Sequence, residues 1–473
     1  MKYNKITPQI IDELIEIVGE RNVIYDNENL EQYSHDEIAE KVYAHMPEVA
    51  LKPSSEEEIS KIMKLANKYL IPVTPRGAGS GLSGGAVPQY GGIVISTEKM
   101  NKILEIDKEN LMIVVEPGVV TNEINDAVKE DGLFYAGYPM SVESCYVGGN
   151  IAENAGGGKA VKYGVTGRYI YGLDVVTPTG EIAHLGGKRV KDVAGYDLIH
   201  LMIGSEGTLG IFTKIYIKLM PLPKETIDLL VLFKDIDSAI SMVPKIMTFG
   251  KVIPTSIEFM DAASFENSCK YLNENISSEG SGAMLLIELD GNSKDELDNE
   301  SEIIGNLCMD NGAIDVYIAD NATTSERMWK IRRNITDAWK QTNPHVVLDD
   351  VVVPVSKIPE CMRKMQELSK KYDISIPCYG HAGDGNLHPN PHKNPNSTLD
   401  EWYEKIPKLM SDIYKLCADL GGSVTGEHGI GNKKKPYLKF VLEPVQIEMT
   451  KRIKKALDPN LILNPGKIVD ICD

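Results

Sequence analysis

The fold is decided by the stretch PRGAGSGLSGG, from Pro75 to Gly85, which enters a glycine-rich loop after a short apolar run. Glycines leave the backbone N–H groups accessible, so such a loop can bind pyrophosphate oxygens, and Arg76 can add a charge-assisted hydrogen bond. A P-loop is excluded because no Gly-Lys-Ser/Thr follows, and a Rossmann site is disfavoured because no acidic residue ends a second strand about twenty residues later. Alone, the loop remains either a turn or a phosphate site.

Two further glycine-rich segments repeat this pattern, GYPMSVESCYVGGNIAENAGGG at 137–158 and IGSEGTLGI at 203–211. Short β-branched runs lie between Ile93 and Leu219 and predict strands joined by glycine-rich connections. The PLPKE segment at 221–225 predicts a domain boundary, because helical and strand patterns alternate after it with far fewer glycines.

Near the N-terminus, the sequence predicts two capped helices. Thr7 can cap a helix that has Pro8 in its first turn, and Ser55 can form a capping box with Glu58 in a helix that runs to about Tyr69. The apolar run at 70–74 predicts the strand that precedes the first glycine-rich loop.

Charge and hydropathy exclude several classes of function. The net charge of −18 disfavours nucleic acid and anionic membrane surfaces as partners. Neither a signal-peptide core nor an apolar stretch of membrane-spanning length occurs, so we expect a cytoplasmic protein. The seven cysteines contain no C-x-x-C pair, which indicates neither a disulfide framework nor an iron–sulfur cluster. A redox protein with this sequence would pass electrons to a soluble acceptor or to another protein.

Three of the nine histidines lie in two glycine-rich segments. YGHAGDGNLHPN contains His381 and His388, whose spacing among glycines predicts a loop, and GGSVTGEHGIG supplies Glu427 and His428. These side chains are either solvated loop residues or ligands brought to one divalent metal ion.

The segment ERMWKIRRNITDAWK, from Glu326 to Lys340, predicts an amphipathic helix. At about 100° per residue, Arg332 lies at the edge of the apolar face, whereas Arg333 projects nearly opposite. Thr336 lies on the same side as Arg332. Arg332 is either a cation that binds a substrate carboxylate or an arginine that snorkels beside the core.

The three glycine-rich loops, with their order and separations, resemble the FAD-binding domain of the vanillyl-alcohol oxidase and p-cresol methylhydroxylase superfamily. Within it, the chain resembles the D-lactate and glycolate dehydrogenase branch, which also contains D-2-hydroxyglutarate dehydrogenases, from about Pro47 to Gly466. The resemblance implies an α+β fold. An FAD-binding domain of two α/β subdomains would occupy residues 1–222, a cap domain with an antiparallel sheet residues 223–425, and a segment returning to the FAD domain residues 426–473.

The resemblance also implies which residues bind FAD. The matching positions are Pro75, Arg76, Gly77, Ala78, Gly79, Ser80, Gly81, Pro139, Ser144, Gly148, Gly149, Asn154, Gly204, Glu206, Gly207, Leu209 and Asn464. Some superfamily members attach the flavin covalently through a histidine in the first loop, where this sequence has Ser80. The resemblance therefore implies FAD that is bound non-covalently.

For the reaction, the resemblance implies a D-2-hydroxy-acid dehydrogenase that transfers hydride to the flavin. His381, His388 and Glu427 match ligands of a divalent metal, which can be iron, zinc or manganese. His428 matches the base that removes the hydroxyl proton. Further substrate-site matches are Arg332, Thr336 and Asn390.

One position limits the substrate. Hydroxyglutarate enzymes have a lysine that binds the distal carboxylate of the substrate. Ungapped matching that ends at Pro354 aligns this lysine with Leu348. The departure favours D-lactate, with glycolate and D-2-hydroxyglutarate as alternatives. Members of this branch pass electrons to an electron-transferring flavoprotein, a quinone-linked subunit or a cytochrome, and some form an electron-bifurcating lactate dehydrogenase complex. A flavin-free metal-dependent hydrolase and an inactive binding subunit remain the alternatives from other classes.

Overall fold

The computed structural model describes residues 3–38, 43–319 and 321–471. Its strands are β1 (Val23–Ile24), β2 (Val49–Leu51), β3 (Val73–Arg76), β4 (Ile93–Ser96), β5 (Ile103–Asp107), β6 (Met112–Val115), β7 (Leu133–Phe134), β8 (Ile170–Val176), β9 (Ile182–Gly186), β10 (Ile211–Lys218), β11 (Met220–Pro221), β12 (Glu225–Phe233), β13 (Ser256–Asp261), β14 (Ala283–Gly291), β15 (Ala313–Ala319), β16 (Val351–Val352), β17 (Cys378–His381) and β18 (Asn386–Pro389). Its α-helices are α1 (Pro8–Val18), α2 (Asn27–Leu30), α3 (Glu56–Tyr69), α4 (Thr121–Val128), α5 (Val147–Glu153), α6 (Ala160–Tyr163), α7 (Leu198–Met202), α8 (Ile236–Thr248), α9 (Ala262–Leu272), α10 (Lys294–Asp310), α11 (Ala322–Arg333), α12 (Ile335–Thr342), α13 (Ile358–Tyr372), α14 (Leu399–Asp419) and α15 (Pro444–Leu457).

The chain divides into two compact units. The first contains residues 1–156, 165–222 and 427–473, and the second contains residues 157–164 and 223–426. The sequence-based boundary assigned the whole of 1–222 to one domain, whereas the segment 157–164 lies in the second unit. Nothing in the glycine-rich composition of this segment distinguishes it from its neighbours.

The first unit is built around two sheets. One has the strand order β1-β2-β4-β3, with parallel pairs β2–β4 and β3–β4, and the other is the antiparallel sheet β5-β6-β10-β8-β9. The C-terminal tail extends the first sheet, because Leu463 forms a parallel bridge with Val73. Ile462 and Leu463 are fully buried in the same apolar cluster as Leu14 and Ile59.

The second unit contains a seven-stranded sheet in the order β15-β12-β14-β13-β17-β18-β16. Every pairing in it is antiparallel, and helices α8 and α10 pack against it. This sheet agrees with the predicted antiparallel sheet of the cap domain. Its strand order brings β13 beside β17 although more than one hundred residues of chain separate them.

Local sequence signals placed the N-terminal helices well. Thr7 Oγ1 accepts the N–H of Ile10 at 3.3 Å, and Ser55 caps α3 by accepting the N–H of Glu58. The reciprocal bond of the expected capping box goes instead to Ser54, whose N–H donates to Glu58 at 2.7 Å. The predicted strand at 70–74 was wrong in its start, because Leu70 ends α3 in the left-handed conformation and β3 begins at Val73.

The predicted helix at 326–340 is two helices in the structure. Helix α11 ends at Arg333 and α12 begins at Ile335, with Asn334 between them at φ −96° and ψ 7°. The periodicity nevertheless separates the two arginines as expected, because Arg332 is buried and Arg333 is exposed.

Two expected absences concern the described residues. No helix among them is long and apolar enough to cross a membrane. The six cysteines in the described part of the chain are all buried, and none of them forms a disulfide with another.

A buried histidine in the second unit predicts an acid-sensitive stability. His392 packs its ring 4.2 Å from that of Trp339, and burial lowers its pKa from 6.5 to about 4. The unfolded chain therefore binds a proton that the folded chain rejects, so stability is lost as pH falls from 6.5 to 4. This loss amounts to about 3 kcal/mol by proton linkage.

The check is urea unfolding at a series of pH values, comparing the wild-type protein with His392→Phe, which keeps a ring beside Trp339. We expect the variant to lose less unfolding free energy than wild type over this interval. If the free energy of unfolding depends on pH identically in the two proteins, His392 is not the source of the acid sensitivity.

Candidate cofactor and substrate site

The first glycine-rich loop presents unbonded backbone donors. Among the described residues, no acceptor bonds to the N–H groups of residues 77–82. Gly79 has φ +79°, and a Cβ there would lie 2.1 Å from the guanidinium of Arg76. A run of donors without protein acceptors fits the oxygens of a pyrophosphate, which can satisfy them.

Arg76, which precedes this loop, makes two hydrogen bonds within the protein. Its guanidinium is 8% exposed and donates to the carbonyl oxygens of His35 at 2.7 Å and Gln32 at 3.0 Å. These bonds use two of the five N–H groups of the guanidinium, so the charge-assisted bond of Arg76 to a phosphate stays a prediction.

The second glycine-rich segment contains the whole of helix α5. Gly148 lies so near Pro117 that a Cβ would be 2.6 Å away, whereas a Cβ on Gly149 would meet nothing within 4 Å. Asn154 ends the helix in the left-handed conformation, and its Oδ1 accepts the N–H of Gly167 at 2.9 Å. Two further predicted FAD residues precede this helix, namely Pro139, which is half-buried, and Ser144, which is exposed.

The third segment is tied to the C-terminal tail by Asn464. Its Nδ2 donates to the carbonyl oxygens of Gly85 at 2.9 Å and Glu206 at 2.8 Å, which joins the first loop to the third. Gly207 has φ +65° and closely approaches Pro75, since a Cβ would lie 2.7 Å from that ring. These contacts bring the first and third glycine-rich segments together with the C-terminal tail.

A cavity of about 340 Å³ lies in the first unit, and three of the predicted FAD residues line it, Gly204, Leu209 and Asn464. Asn464 Oδ1 is buried and bonds to no described residue. Lys467 also lines the cavity, and burial lowers its pKa to about 7. The amine of Lys467 already donates to the carbonyl oxygen of Val87 at 2.7 Å, so of these two groups it is the amide oxygen of Asn464 that lacks a hydrogen-bond partner among the described residues.

The predicted histidine loop is a β-hairpin. His381 ends β17 and His388 lies on β18, where it faces Tyr379 directly. Because side chains alternate along a strand, His381, Tyr379 and His388 share one face. A ring nitrogen of His381 and one of His388 lie within 4.8 Å of each other, and both residues are buried. The expectation of a flexible loop was wrong, and the hairpin fixes both rings.

Glu258 lies beside this hairpin and was missed by the sequence analysis. It is directly opposite His381 in the β13–β17 pairing, is fully buried, and contacts His381 Nδ1 at 2.7 Å through Oε1. Its Oε2 lies 2.6 Å from Nη2 of Arg332. Burial alone would raise the pKa of Glu258, but His381 and Arg332 lower it to about 2.

Arg332 presents donors that no described residue accepts. Its side chain is 5% exposed, and neither Nε nor Nη2 makes an aligned hydrogen bond within the described part of the chain. The guanidinium lies 4.9 Å from the centroid of the Tyr379 ring, which orients its plane. A buried cation with unused N–H groups fits an anionic ligand, because leaving them unsatisfied is costly.

Thr336 and Asn390 lie beside the same tyrosine. Thr336 Oγ1 forms a 2.6 Å hydrogen bond with the hydroxyl of Tyr379. Asn390 is buried and donates through Nδ2 to the carbonyl oxygen of His388 at 2.8 Å. Four predicted site residues of the second unit, together with Arg332, therefore surround Tyr379 and Glu258.

Glu427 and His428 begin the last segment of the first unit, and their imidazole and carboxylate groups lie 3.8 Å apart. Glu206 holds the loop that follows, because its buried carboxylate accepts the N–H groups of Ile430 at 2.7 Å and Gly431 at 2.6 Å. Its carboxylate therefore orders this loop, and the role of Glu206 in FAD binding stays a prediction.

Asp350 fixes the residues at the end of the second unit, which ends at Gly426. Its fully buried carboxylate accepts the N–H of Gly426 at 2.6 Å and the hydroxyl of Thr425 at 2.9 Å. The residues immediately before Glu427 are therefore held by one carboxylate. The sequence analysis missed Asp350, because nothing in the local pattern of the adjacent Asp349 and Asp350 indicates this role.

Comparison with known proteins decides the family. Residues 47–186 match the FAD binding domain, and residues 222–468 match the C-terminal domain of FAD linked oxidases. The D-lactate dehydrogenase of Anaerostipes hadrus is 40% identical over 475 residues, covering 99% of this chain and 98% of that protein. The glycolate oxidase subunit GlcD of Bacillus subtilis is 40% identical over 467 residues, covering 98% of this chain and 97% of its own.

The chain belongs to the family of FAD-linked oxidases. The predicted FAD cofactor and the predicted FAD-dependent dehydrogenase of hydroxy acids are thereby confirmed for this family member. The fold prediction is confirmed as well, since p-cresol methylhydroxylase superposes with a TM-score of 0.80 at 19% identity, covering 98% of this chain and 97% of that one. Family membership rules against the flavin-free hydrolase.

Proposed function

We propose that this FAD-dependent hydroxy-acid dehydrogenase oxidises a short D-2-hydroxy acid to the 2-oxo acid, with D-lactate as the leading substrate. The observation that carries the proposal is Arg332, a buried guanidinium whose Nε and Nη2 have no aligned acceptor among the described residues. A carboxylate has the planar geometry to accept two such bonds.

The size of the substrate is inferred from Leu348, which is 4% exposed and which ungapped matching aligns with the lysine that binds the distal carboxylate in hydroxyglutarate enzymes. An apolar side chain leaves a distal carboxylate without a partner. D-lactate therefore fits better than D-2-hydroxyglutarate, and glycolate is the second candidate. The names of the two relatives above, D-lactate dehydrogenase and glycolate oxidase subunit, support the same pair.

We also propose that His381, His388 and Glu427 bind a divalent metal ion. The donor set of two imidazoles and one carboxylate suits iron, zinc or manganese. Glu258 contacts Nδ1 of His381, so we assign Nε2 of that ring to the metal. The hairpin then supplies two ligands whose positions are fixed before the ion binds.

Each proposed residue has a separate task in the reaction. When bound, FAD would supply a two-electron acceptor and a divalent ion would supply a Lewis acid for the substrate hydroxyl. Arg332 binds the carboxylate, Thr336 and Asn390 contact the bound acid, and His428 accepts the hydroxyl proton. The N–H groups of residues 77–82 bind the pyrophosphate, and Ser80 leaves the cofactor non-covalent.

Turnover with an artificial dye tests the proposal. The purified protein is incubated separately with D-lactate, L-lactate, glycolate and D-2-hydroxyglutarate, and both dye reduction and the 2-oxo acid are measured. We expect pyruvate from D-lactate and none from L-lactate. A preference for D-2-hydroxyglutarate would overturn the argument from Leu348. If the enzyme oxidises none of these hydroxy acids, the proposed function is overturned.

Arg332→Lys should raise the KM for D-lactate by about 10- to 100-fold, because lysine cannot form the bidentate pair. The control is Arg333→Lys on the exposed side of α11, for which we expect an unchanged KM. Steady-state kinetics over a wide range of D-lactate concentrations measures both. Equal KM values for Arg332→Lys and wild type would exclude Arg332 as the carboxylate ligand.

We propose further that electrons leave FAD for a partner flavoprotein of the electron-transferring type. The support is the cysteine spacing, which provides no cluster motif to carry electrons within the chain. Reduction of a purified electron-transferring flavoprotein by the enzyme and D-lactate, with dye as the control acceptor, tests this. Reduction of the dye but of no flavoprotein would count against the partner.

A further inference from the structure

Glu258 connects two functional groups that the sequence analysis treated separately. We propose that Glu258 is a positioning residue that simultaneously orients a metal-binding imidazole, His381, and the carboxylate-binding guanidinium of Arg332. This inference rests on the proposed function, because it assigns both partners the roles proposed above. It adds a residue to the site that the family resemblance did not supply.

The contact with His381 fixes the orientation of its ring. Oε1 of Glu258 lies 2.7 Å from Nδ1, and Ser256 Oγ donates to the same oxygen at 3.1 Å. Glu258 and His381 are directly opposite each other in neighbouring strands, so the backbone ladder holds both Cα atoms in register. A carboxylate on Nδ1 keeps the proton there and directs Nε2 outward, as in carboxylate–histidine–metal arrangements.

The contact with Arg332 uses the other oxygen. Oε2 lies 2.6 Å from Nη2, which makes this contact an ion pair that balances the charge of the guanidinium. Tyr379 lies against the guanidinium, with its ring centroid 4.9 Å from Cζ. The arginine thus contacts a carboxylate and a ring, and its Nε has no acceptor among the described residues.

Burial makes this arrangement sensitive to substitution. Glu258 is 0% exposed, Arg332 is 5% exposed and His381 is 3% exposed. Water cannot replace the carboxylate at such positions, so its loss leaves the guanidinium without a counter-charge and the ring without a fixed tautomer. We therefore expect two separable defects from one substitution.

The test uses Glu258→Gln, which keeps the side-chain volume, and Glu258→Asp, which is too short to contact both partners. Three quantities are measured on the full-length holoenzyme: affinity for Zn²⁺ and Mn²⁺ by chelator competition, kcat and KM for D-lactate, and the melting temperature. We expect Glu258→Gln to lower metal affinity about 10- to 100-fold. Saturating metal should restore kcat but leave KM raised, because only the first defect concerns the metal.

The matched control is Asp228→Asn. Asp228 is another buried carboxylate of the same sheet, and it binds helix α11 through the indole N–H of Trp329 at 3.0 Å, but it contacts neither His381 nor Arg332. We expect this variant to lower the melting temperature while keeping metal affinity and KM. If Glu258→Gln and Asp228→Asn change metal affinity and KM equally, the role of Glu258 is purely structural and the proposal is overturned.

Wild-type metal affinity and wild-type KM in Glu258→Gln would also overturn it. The proposed function can fail separately: if the wild-type enzyme oxidises no hydroxy acid, the metal measurement still tests the effect of Glu258 on His381. If Glu258→Gln fails to fold, Glu258→Asp is compared with wild type instead. We expect it to lose less metal affinity than predicted for Glu258→Gln and to have a higher KM than wild type.

Discussion

Replacing His428 with alanine should lower the rate constant for FAD reduction by D-lactate by about 10²- to 10⁴-fold, the range for removal of a general base. FAD should remain bound, because the backbone N–H groups after His428 keep their hydrogen bonds to Glu206 and no loop of the proposed FAD site is altered. Anaerobic stopped-flow absorbance at the flavin band measures the rate, and the FAD-to-protein ratio measures the cofactor.

The matched control for this variant is His184→Ala. His184 belongs to the same unit, is exposed, and contacts Asp174 at 3.0 Å. We expect this control to reduce FAD at the wild-type rate. A wild-type rate in His428→Ala would remove His428 as the base, and loss of FAD from that variant would move its role to cofactor binding.

The second large effect is expected from His388→Ala. Removing one of three proposed ligands should abolish high-affinity metal binding. It should also lower kcat by at least about 10³-fold, because the proposed metal would stabilise the charge that develops in the transition state by several kcal/mol. Chelator treatment of the wild-type enzyme should give the same loss, and added Fe²⁺, Zn²⁺ or Mn²⁺ should reverse it for wild type alone.

His392→Phe serves as the control for this second prediction. His392 lies four residues further along the chain and is buried against Trp339, but it is not among the proposed ligands. We expect it to bind metal with wild-type affinity. Full activity in the metal-free wild-type enzyme would contradict the proposed metal, whichever histidine is replaced.

Local signals explain why parts of this structure were predictable. The cap of α1 by Thr7 and the burial of Arg332 rather than Arg333 depend on residues within one or two helical turns. Such contacts follow from spacing along the chain, which the sequence states directly. The glycine-rich loops were recognised for the same reason, because their composition alone indicates accessible backbone donors.

Long-range pairing explains what was missed. Glu258 and His381 are 123 residues apart in sequence and meet only because β13 pairs with β17. The hairpin was read as a loop because of its glycines, yet Gly385 at φ +88° is the position that lets the chain turn tightly. The hydrogen bonds of Arg76 could not be predicted either, since its acceptors, two backbone carbonyls more than forty residues away, leave no trace in composition.

The most direct test of the central claim is anaerobic titration of the FAD-containing protein with D-lactate, followed by its visible spectrum. We predict loss of the oxidised flavin absorbance with about one pyruvate formed per FAD, and no change with L-lactate. Bound FAD that no D-2-hydroxy acid reduces would contradict the proposed reaction while leaving the family and the fold as they are.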